Sequence, residues 1–388
     1  MNSALLPNYG TPDLEFDHGQ GSYLYSSNGQ RYLDFAMGIA VNCLGHCHPK
    51  LVAALTEQAN KVWHTSNLYR IAQSERLAHK LMEHSFADKV FFCNSGAEAV
   101  ECGFKIIRRY HHSKQQPQRN RIVSMTGAFH GRTLATIAAA ANPLHCEGFL
   151  VGDAGFDQAE SGNIESLRRV VDARTAGIII EPIQGENGIK VLPVDYLAAV
   201  RELCDQQDIV LMFDEVQCGV GRSGSLYAYQ QLGVSPDVLA SAKGLGGGFP
   251  VGACLSIEKL AATMTPGSHG STFGGNPLAM AVANAVIDEI CQPSFLSELA
   301  SNSEYFRREL ALLIESNPQR LKAVTGLGMM IGLNCHIDNT ELCSRLQEHK
   351  LLVVKAGGNS IRLLPALNIA RSELDEALSI ISNVLKAW

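Results

Sequence analysis

Apolar positions along the chain fall into two alternating patterns. Nearly continuous apolar runs of four or five residues, flanked by Gly, Asp or Asn, lie at 90–93, 122–125, 177–180, 209–213 and 252–256. Strands buried on both faces need this continuous pattern, whereas a half-solvated strand alternates. Between most of the runs, apolar residues recur at three- and four-residue spacing, which predicts helices. Helical stretches are also predicted ahead of the first run, at 49–61 and at 74–84, where Leu77, Ala78 and Leu81 repeat. Runs alternating with helices predict an α/β fold with a mostly parallel sheet wrapped by helices.

The two ends of the chain read differently. Residues 1–48 carry short strand-like pieces separated by turn signals, Gly19-Gln20-Gly21 and Ser26-Ser27-Asn28-Gly29, before Tyr32-Leu33-Asp34-Phe35. A helix of small residues over 278–290 follows Pro277. Helices at 301–315 and 338–349 then mix with strand-like 329–333 and 360–364. Three parts are expected: an N-terminal segment, 1–48, joining a smaller α+β domain, 277–388, with a large domain, 49–276, between them.

Composition narrows the class. An apolar fraction of 46% supports a sizeable core, and a charged fraction of only 18% suggests surface covered at a subunit interface. The net charge of −6, without any block of like charges, argues against nucleic acid or an anionic membrane as partner. No apolar stretch is long enough to span a bilayer. Eleven scattered cysteines read as reduced thiols, and the start MNSALLPNYG lacks the regions of a signal peptide, so a cytoplasmic protein is expected.

In open α/β sheets, ligands bind beyond the carboxyl ends of the strands, so the residues after each run matter most. After 90–93 comes Asn94-Ser95-Gly96-Ala97-Glu98-Ala99, a small polar turn into a helix whose N–H groups suit an anion, though a plain Ser cap reads the same way. After 122–125, Phe129 could stack on a flat ligand and Arg132 could grip a carboxylate, while His130 reads as a hydrogen-bonded structural residue. Glu181 and Glu186 follow 177–180. The run 209–213 leads into Asp214-Glu215-Val216-Gln217, and a carboxylate at the tip of a buried strand needs a partner. Lys243 stands in Ser241-Ala242-Lys243-Gly244-Leu245-Gly246-Gly247-Gly248, small surroundings that lower an amine's pKa and favour imine chemistry. These glycines match neither a phosphate-binding P-loop nor a dinucleotide fingerprint. Asp214-Glu215 likewise fails as a magnesium site without a phosphate-loop lysine.

One cofactor accounts for the set. Pyridoxal phosphate (PLP) needs an imine-forming lysine, an acid for its ring nitrogen, a phosphate cup and an aromatic lid. Lys243, Asp214, Ser95-Gly96-Ala97 and Phe129 supply these in turn. Cys43, His46, Cys47 and His48 have soft-ligand chemistry but lack a second pair at zinc-binding spacing, so no metal is expected.

With these motifs in order, joined by Gly38-Ile39-Ala40-Val41-Asn42, Phe129-His130-Gly131-Arg132-Thr133, Glu181-Pro182-Ile183-Gln184-Gly185-Glu186 and Ser268-His269-Gly270-Ser271-Thr272-Phe273-Gly274-Gly275-Asn276-Pro277, the chain resembles the class III (ornithine-type) aminotransferases from about Tyr32 to Leu367. The resemblance implies a PLP enzyme of fold type I and a homodimer with a shared active site. It implies transfer of the terminal amino group of N2-acetyl-L-ornithine to 2-oxoglutarate. Succinylornithine, ornithine and 4-aminobutyrate are the alternative donors.

The resemblance also implies roles. Lys243 would bind PLP covalently and shuttle a proton, and Asp214 would hold the ring nitrogen. Gln217 would bond the phenolic oxygen, with Val216 beneath the ring and Phe129 above it. Ser95, Gly96 and Ala97 would hold the phosphate, joined by Thr272 from the neighbouring subunit. Arg132 would take the α-carboxylate of acetylornithine or the side-chain carboxylate of glutamate. Ser271 would touch acetylornithine, Arg362 would bind the α-carboxylate of glutamate, and Glu186 would pair with Arg362 while the amine donor is bound. Tyr9 is a candidate substrate-side contact. The family pattern is broken at Val100-Glu101-Cys102-Gly103, where Gly103 inside a helix implies close packing, and at Asn187 and Ala366, where the family has Gly and Pro.

Overall fold

The structure, a computed structural model, describes residues 4–10, 13–149 and 151–388. Seven strands form the central sheet in the order Lys89–Cys93, Gly252–Ser256, Val238–Ser241, Val210–Asp214, Thr175–Ile180, Arg121–Met125, Phe156–Ala159. Pairing is parallel throughout except along Gly252–Ser256, which runs against both neighbours. Every residue of Thr175–Ile180, Val210–Asp214, Val238–Ser241 and Gly252–Ser256 is buried. Burial on both faces explains why these segments show no polar alternation.

The sequence pattern missed two of the seven strands. Val238–Ser241 is apolar but only four residues long, too short to stand out as a run. Phe156–Ala159, at the sheet edge, contains Asp157 and Gln158, which Arg121 and the carbonyls of Ala139 and Ala140 satisfy.

Helix Gly96–Ser113 lies across the sheet, with Val100, Phe104 and Ile107 in one apolar cluster with Ile179, Met212 and Val238. A Cβ on Gly103 would stand 2.4 Å from Met212 Cε. The helix therefore forgoes a side chain there, at some cost in helix propensity, to admit a methionine from the strand that ends at Asp214.

The N-terminal strands Phe16–Gln20, Tyr23–Ser26 and Arg31–Asp34 form an antiparallel meander, and Leu33 and Asp34 pair in parallel with Leu351 and Leu352. A second four-stranded antiparallel sheet orders Leu321–Leu327, Met330–Cys335, Ser360–Leu363 and Val354–Ala356. Helices Pro293–Glu315, Asn339–Glu348 and Arg371–Lys386 accompany it. Helix Pro277–Ile290 packs on Pro49–Ala59 and Ala72–Glu83. No helix among the described residues is long and apolar enough to cross a membrane.

Candidate active site

Six strands pointing one way bring their carboxyl ends to one edge of the sheet, and the side chains just past those ends meet there. Ser95 follows the first strand and caps helix Gly96–Ser113, its Oγ accepting from the Glu98 N–H at 3.2 Å. The N–H groups of Gly96 and Ala97 thus stand at the positive end of an 18-residue helix. A Cβ on Gly96 would lie 2.7 Å from Val216 Cγ1. Only glycine lets the loop after Asp214 approach this closely.

Asp214 is the last residue of its strand and is buried. Its Oδ2 meets His130 Nδ1 at 2.8 Å, and its Oδ1 accepts the Val216 N–H at 3.1 Å. Burial disfavours the charged form of His130, but the hydrogen bond and charge of Asp214, with Glu181 behind, outweigh it and raise its pKa. His130 Nε2 is buried with no partner among the described residues. His130, which the sequence reads as a hydrogen-bonded structural residue, makes its bond to the acid of the site. Its signal was its position after a strand; its partner lies 84 residues away and could not be read.

Glu181 anchors the neighbouring loop by accepting the Phe129 N–H at 2.8 Å, and burial pushes its carboxyl up. Glu215 takes no part in the site. It points into the core, accepts the Tyr229 N–H at 2.9 Å and the Ala228 N–H, and is pushed up to about 7 by burial.

Lys243 follows strand Val238–Ser241 with φ 43°, a left-handed conformation that a lysine adopts at a cost. Burial, then the nearby Arg362 cation, brings its amine down to about 8, against the opposing pull of Glu186, Asp214 and Glu181. A cavity of about 340 Å³ opens between Lys243, Asp214, Val216, Gln217, Phe129 and Ser95–Ala97. The chemistry of six of these residues assigns them to one cofactor, and the resemblance adds Val216 and Gln217; the fold brings all eight around one space.

Phe129, Glu186 and Lys243 also border an adjoining cleft of about 1230 Å³ that holds Arg132, Arg362 and Tyr9. Arg362 stands on strand Ser360–Leu363 of the second sheet, 2% exposed. Glu186 grips it through both oxygens, at 2.7 and 3.2 Å, and its Nη1 also donates to Gln217 Oε1 at 3.3 Å. Arg132 differs. Its guanidinium lies 5.5 Å from the Phe129 ring centre and has no ion pair among the described residues.

Ser271 and Thr272 border neither space within this chain. Ser271 Oγ is held by Asn94 Nδ2 at 3.2 Å and the Gly274 N–H at 3.0 Å, and Thr272 is exposed. The cysteine–histidine cluster is dispersed: His46 Nε2 meets Asp34 Oδ2 at 2.8 Å and the Cys43 thiol donates to the Gly244 carbonyl at 3.1 Å. Among the described residues no group of three or more His, Cys, Asp or Glu is placed to hold a metal ion.

Residues 7–385 match the family model for class-III aminotransferases. The acetylornithine aminotransferase of Mesorhizobium japonicum is 50% identical over 97% of this chain and 94% of its own length. That of Agrobacterium fabrum is 49% identical with the same coverage. Among solved structures, the N-acetylornithine aminotransferase of Stenotrophomonas maltophilia superposes with a TM-score of 0.86 at 35% identity, covering 98% of both chains. The ornithine aminotransferase of Toxoplasma gondii, described with partial occupancy of PLP at its active site, does so with 0.93 at 28% identity, over 98% of this chain and 92% of its own. Parallel-strand ends that gather a half-buried lysine, a buried acid and a helix start at Gly96 accord with these likenesses, and the chain belongs to the class III aminotransferases, which are PLP-dependent enzymes.

Proposed function

We propose that this enzyme moves the terminal (δ) amino group of N2-acetyl-L-ornithine to 2-oxoglutarate, yielding N-acetyl-L-glutamate 5-semialdehyde and L-glutamate. The observation that carries this reading is the charge pattern of one cleft: Arg132 free, Arg362 neutralised by Glu186, and Lys243 alongside both. A donor with one carboxylate and a cationic far end needs one free guanidinium and no second one facing its amine. A diacid needs both. Releasing Glu186 converts the first arrangement into the second. The names of the relatives at about half identity support the same donor.

The residues of the cavity suit PLP, since Gly96 lets Val216 pack against the helix start that borders the cavity and Lys243 is held as a weakly basic amine. When bound, PLP supplies an electron-withdrawing ring that makes the donor's amine-bearing carbon acidic and carries nitrogen between the two substrates. Lys243 Nζ would hold its aldehyde carbon at rest and, once the donor's amine has displaced it, would take the proton from the donor's amine-bearing carbon and deliver it to the cofactor's former aldehyde carbon. Asp214, oriented by His130, would hold the ring nitrogen protonated. Val216 and Phe129 would enclose the ring, and Gln217 would donate to its phenolic oxygen. Ser95 and the Gly96 and Ala97 N–H groups would hold the phosphate.

In the first half-reaction Arg132 would bind the donor's α-carboxylate. In the second it would bind the side-chain carboxylate of 2-oxoglutarate or glutamate, with Arg362 on the α-carboxylate. We further infer a homodimer, in which Thr272 of the partner subunit completes the phosphate site and Ser271 touches the donor. Exposed Trp63, Leu68, Tyr69 and Phe273, each at least 60% accessible, support a covered face. The pairing of Leu33 and Asp34 with Leu351 and Leu352 supports the division into 1–48 with 277–388 around 49–276. Cysteines without disulfides are consistent with a cytoplasmic enzyme.

A donor panel tests the reading. With 2-oxoglutarate as acceptor, N2-acetylornithine should give the highest kcat/KM among N2-acetylornithine, N2-succinylornithine, ornithine and 4-aminobutyrate. A higher value for any other donor overturns it.

A further inference from the structure

Beyond Arg132, the wall of the cleft carries an imidazole, His145, to which the roles above assign nothing. His145 sits on the short helix Pro143–Cys146, which a tight turn places firmly. Asn142 Oδ1 accepts the Leu144 N–H at 3.0 Å, the Asn142 carbonyl accepts the His145 N–H at 2.9 Å, and Pro143 fixes the first helical residue. The turn starts from Ala141 at φ 47°, a conformation that disfavours any side chain. The local backbone is thus held in a costly shape that presents His145 to the cleft.

The imidazole meets the Phe129 ring edge-on, with centroids 6.0 Å apart and planes at 87°. Arg132 lies over the same ring, 5.5 Å from its centre. His145 and the unpaired guanidinium therefore flank one aromatic residue. Neither nitrogen of His145 has a hydrogen-bond partner among the described residues, although the residue is half-buried. Burial, and then the Arg132 charge, lower its pKa against the pull of Glu186, which favours the neutral ring. A neutral imidazole offers one donor and one acceptor, the complement of a secondary amide.

In an N2-acylated ω-amino acid the amide nitrogen and the α-carboxylate share a carbon, so they are only about 2.5 Å apart. Whatever group grips the carboxylate has the amide beside it. We propose that His145 is a specificity-determining residue: with Arg132 on the α-carboxylate, its ring hydrogen-bonds the acyl amide of the donor. The proposal rests on the donor assigned above and deepens it. In the glutamate half-reaction no amide is present, and His145 stands idle.

Two variants of the holoenzyme test this, with each half-reaction measured separately. His145→Phe keeps an aromatic edge against Phe129 and removes both nitrogens. It should raise KM for N2-acetylornithine about tenfold, the worth of one uncharged hydrogen bond. Its kcat and its KM for glutamate should stay at the parent values. His145→Gln, which keeps a donor and an acceptor, should restore most of the loss. An unchanged KM for N2-acetylornithine in His145→Phe, or an equal rise for glutamate, overturns the proposal while leaving the donor assignment intact. A parent enzyme with a higher kcat/KM for ornithine than for N2-acetylornithine overturns the donor assignment and this proposal with it.

Discussion

Replacing Glu186 by alanine removes the anion that neutralises Arg362. The pair is asymmetric, since the Arg362 side chain is 3% exposed and that of Glu186 is 40% exposed. Breaking a fully buried pair costs about 3–5 kcal/mol, because a desolvated charge is left behind. Water around Glu186 screens its half of the interaction, so about 1–2 kcal/mol is the reasonable expectation here. That energy acts in opposite senses on the two substrates. Glutamate meets a guanidinium already free for its α-carboxylate, while the amine donor brings its cationic end toward an uncompensated charge. The ratio of kcat/KM for N2-acetylornithine to that for glutamate should therefore fall about 5- to 30-fold.

The same change reaches Lys243. Glu186 favours the protonated amine and Arg362 disfavours it, so losing the anion moves the amine below its value of about 8. The acid limb of the donor half-reaction, where free Lys243 must be neutral to accept a proton, should move to lower pH. Single-turnover absorbance changes measured with each substrate alone, across pH, report both effects. A selectivity ratio equal to the parent's, together with an acid limb that stays in place, would refute the gate.

Arg132→Ala should raise KM for N2-acetylornithine strongly and leave thermal stability unchanged, because Arg132 has no ion pair to lose among the described residues; a wild-type KM would remove its assigned role. Gly96→Ala and Gly103→Ala crowd side chains of different stiffness. The Gly96 Cβ meets both γ carbons of Val216, at 2.7 and 2.9 Å, and a β-branched chain cannot turn aside, so PLP affinity measured by titration should fall about tenfold. The Gly103 Cβ meets the flexible end of Met212, and about 1 kcal/mol of regained helix propensity offsets the crowding, so the melting temperature should barely move. Equal effects of the two substitutions on PLP affinity would contradict this contrast.

Much of the sheet was legible because burial on both faces leaves an unmistakable mark, as in Thr175–Ile180 and Val210–Asp214. Polar Phe156–Ala159 escaped because Asp157 and Gln158 interrupt the apolar pattern and find their partners elsewhere in the chain. The site residues were legible one by one, since Ser95, Phe129, Glu181, Asp214 and Lys243 each directly follow or end an apolar run or flank a glycine loop. Their convergence was not. It depends on six strands sharing one direction, a property of pairing that no local pattern encodes.

Pairwise chemistry was the least legible. The His130–Asp214 contact joins the ends of two strands that are not neighbours in the sheet, and the placing of His145 and Arg132 on either side of Phe129 arises within one irregular connection. Gly103 shows the reverse case, a visible misfit in a helix whose cause is a methionine 109 residues later in the chain.

Lys243 and Asp214 would face each other across a single flat cofactor. Borohydride reduction of the PLP-loaded enzyme, followed by peptide mass mapping, reads this directly. The cofactor mass should appear on the peptide containing Lys243 and on no other lysine, and Asp214→Asn should weaken the visible absorbance of the unreduced enzyme. Attachment at another lysine, with Lys243 unmodified, would contradict it.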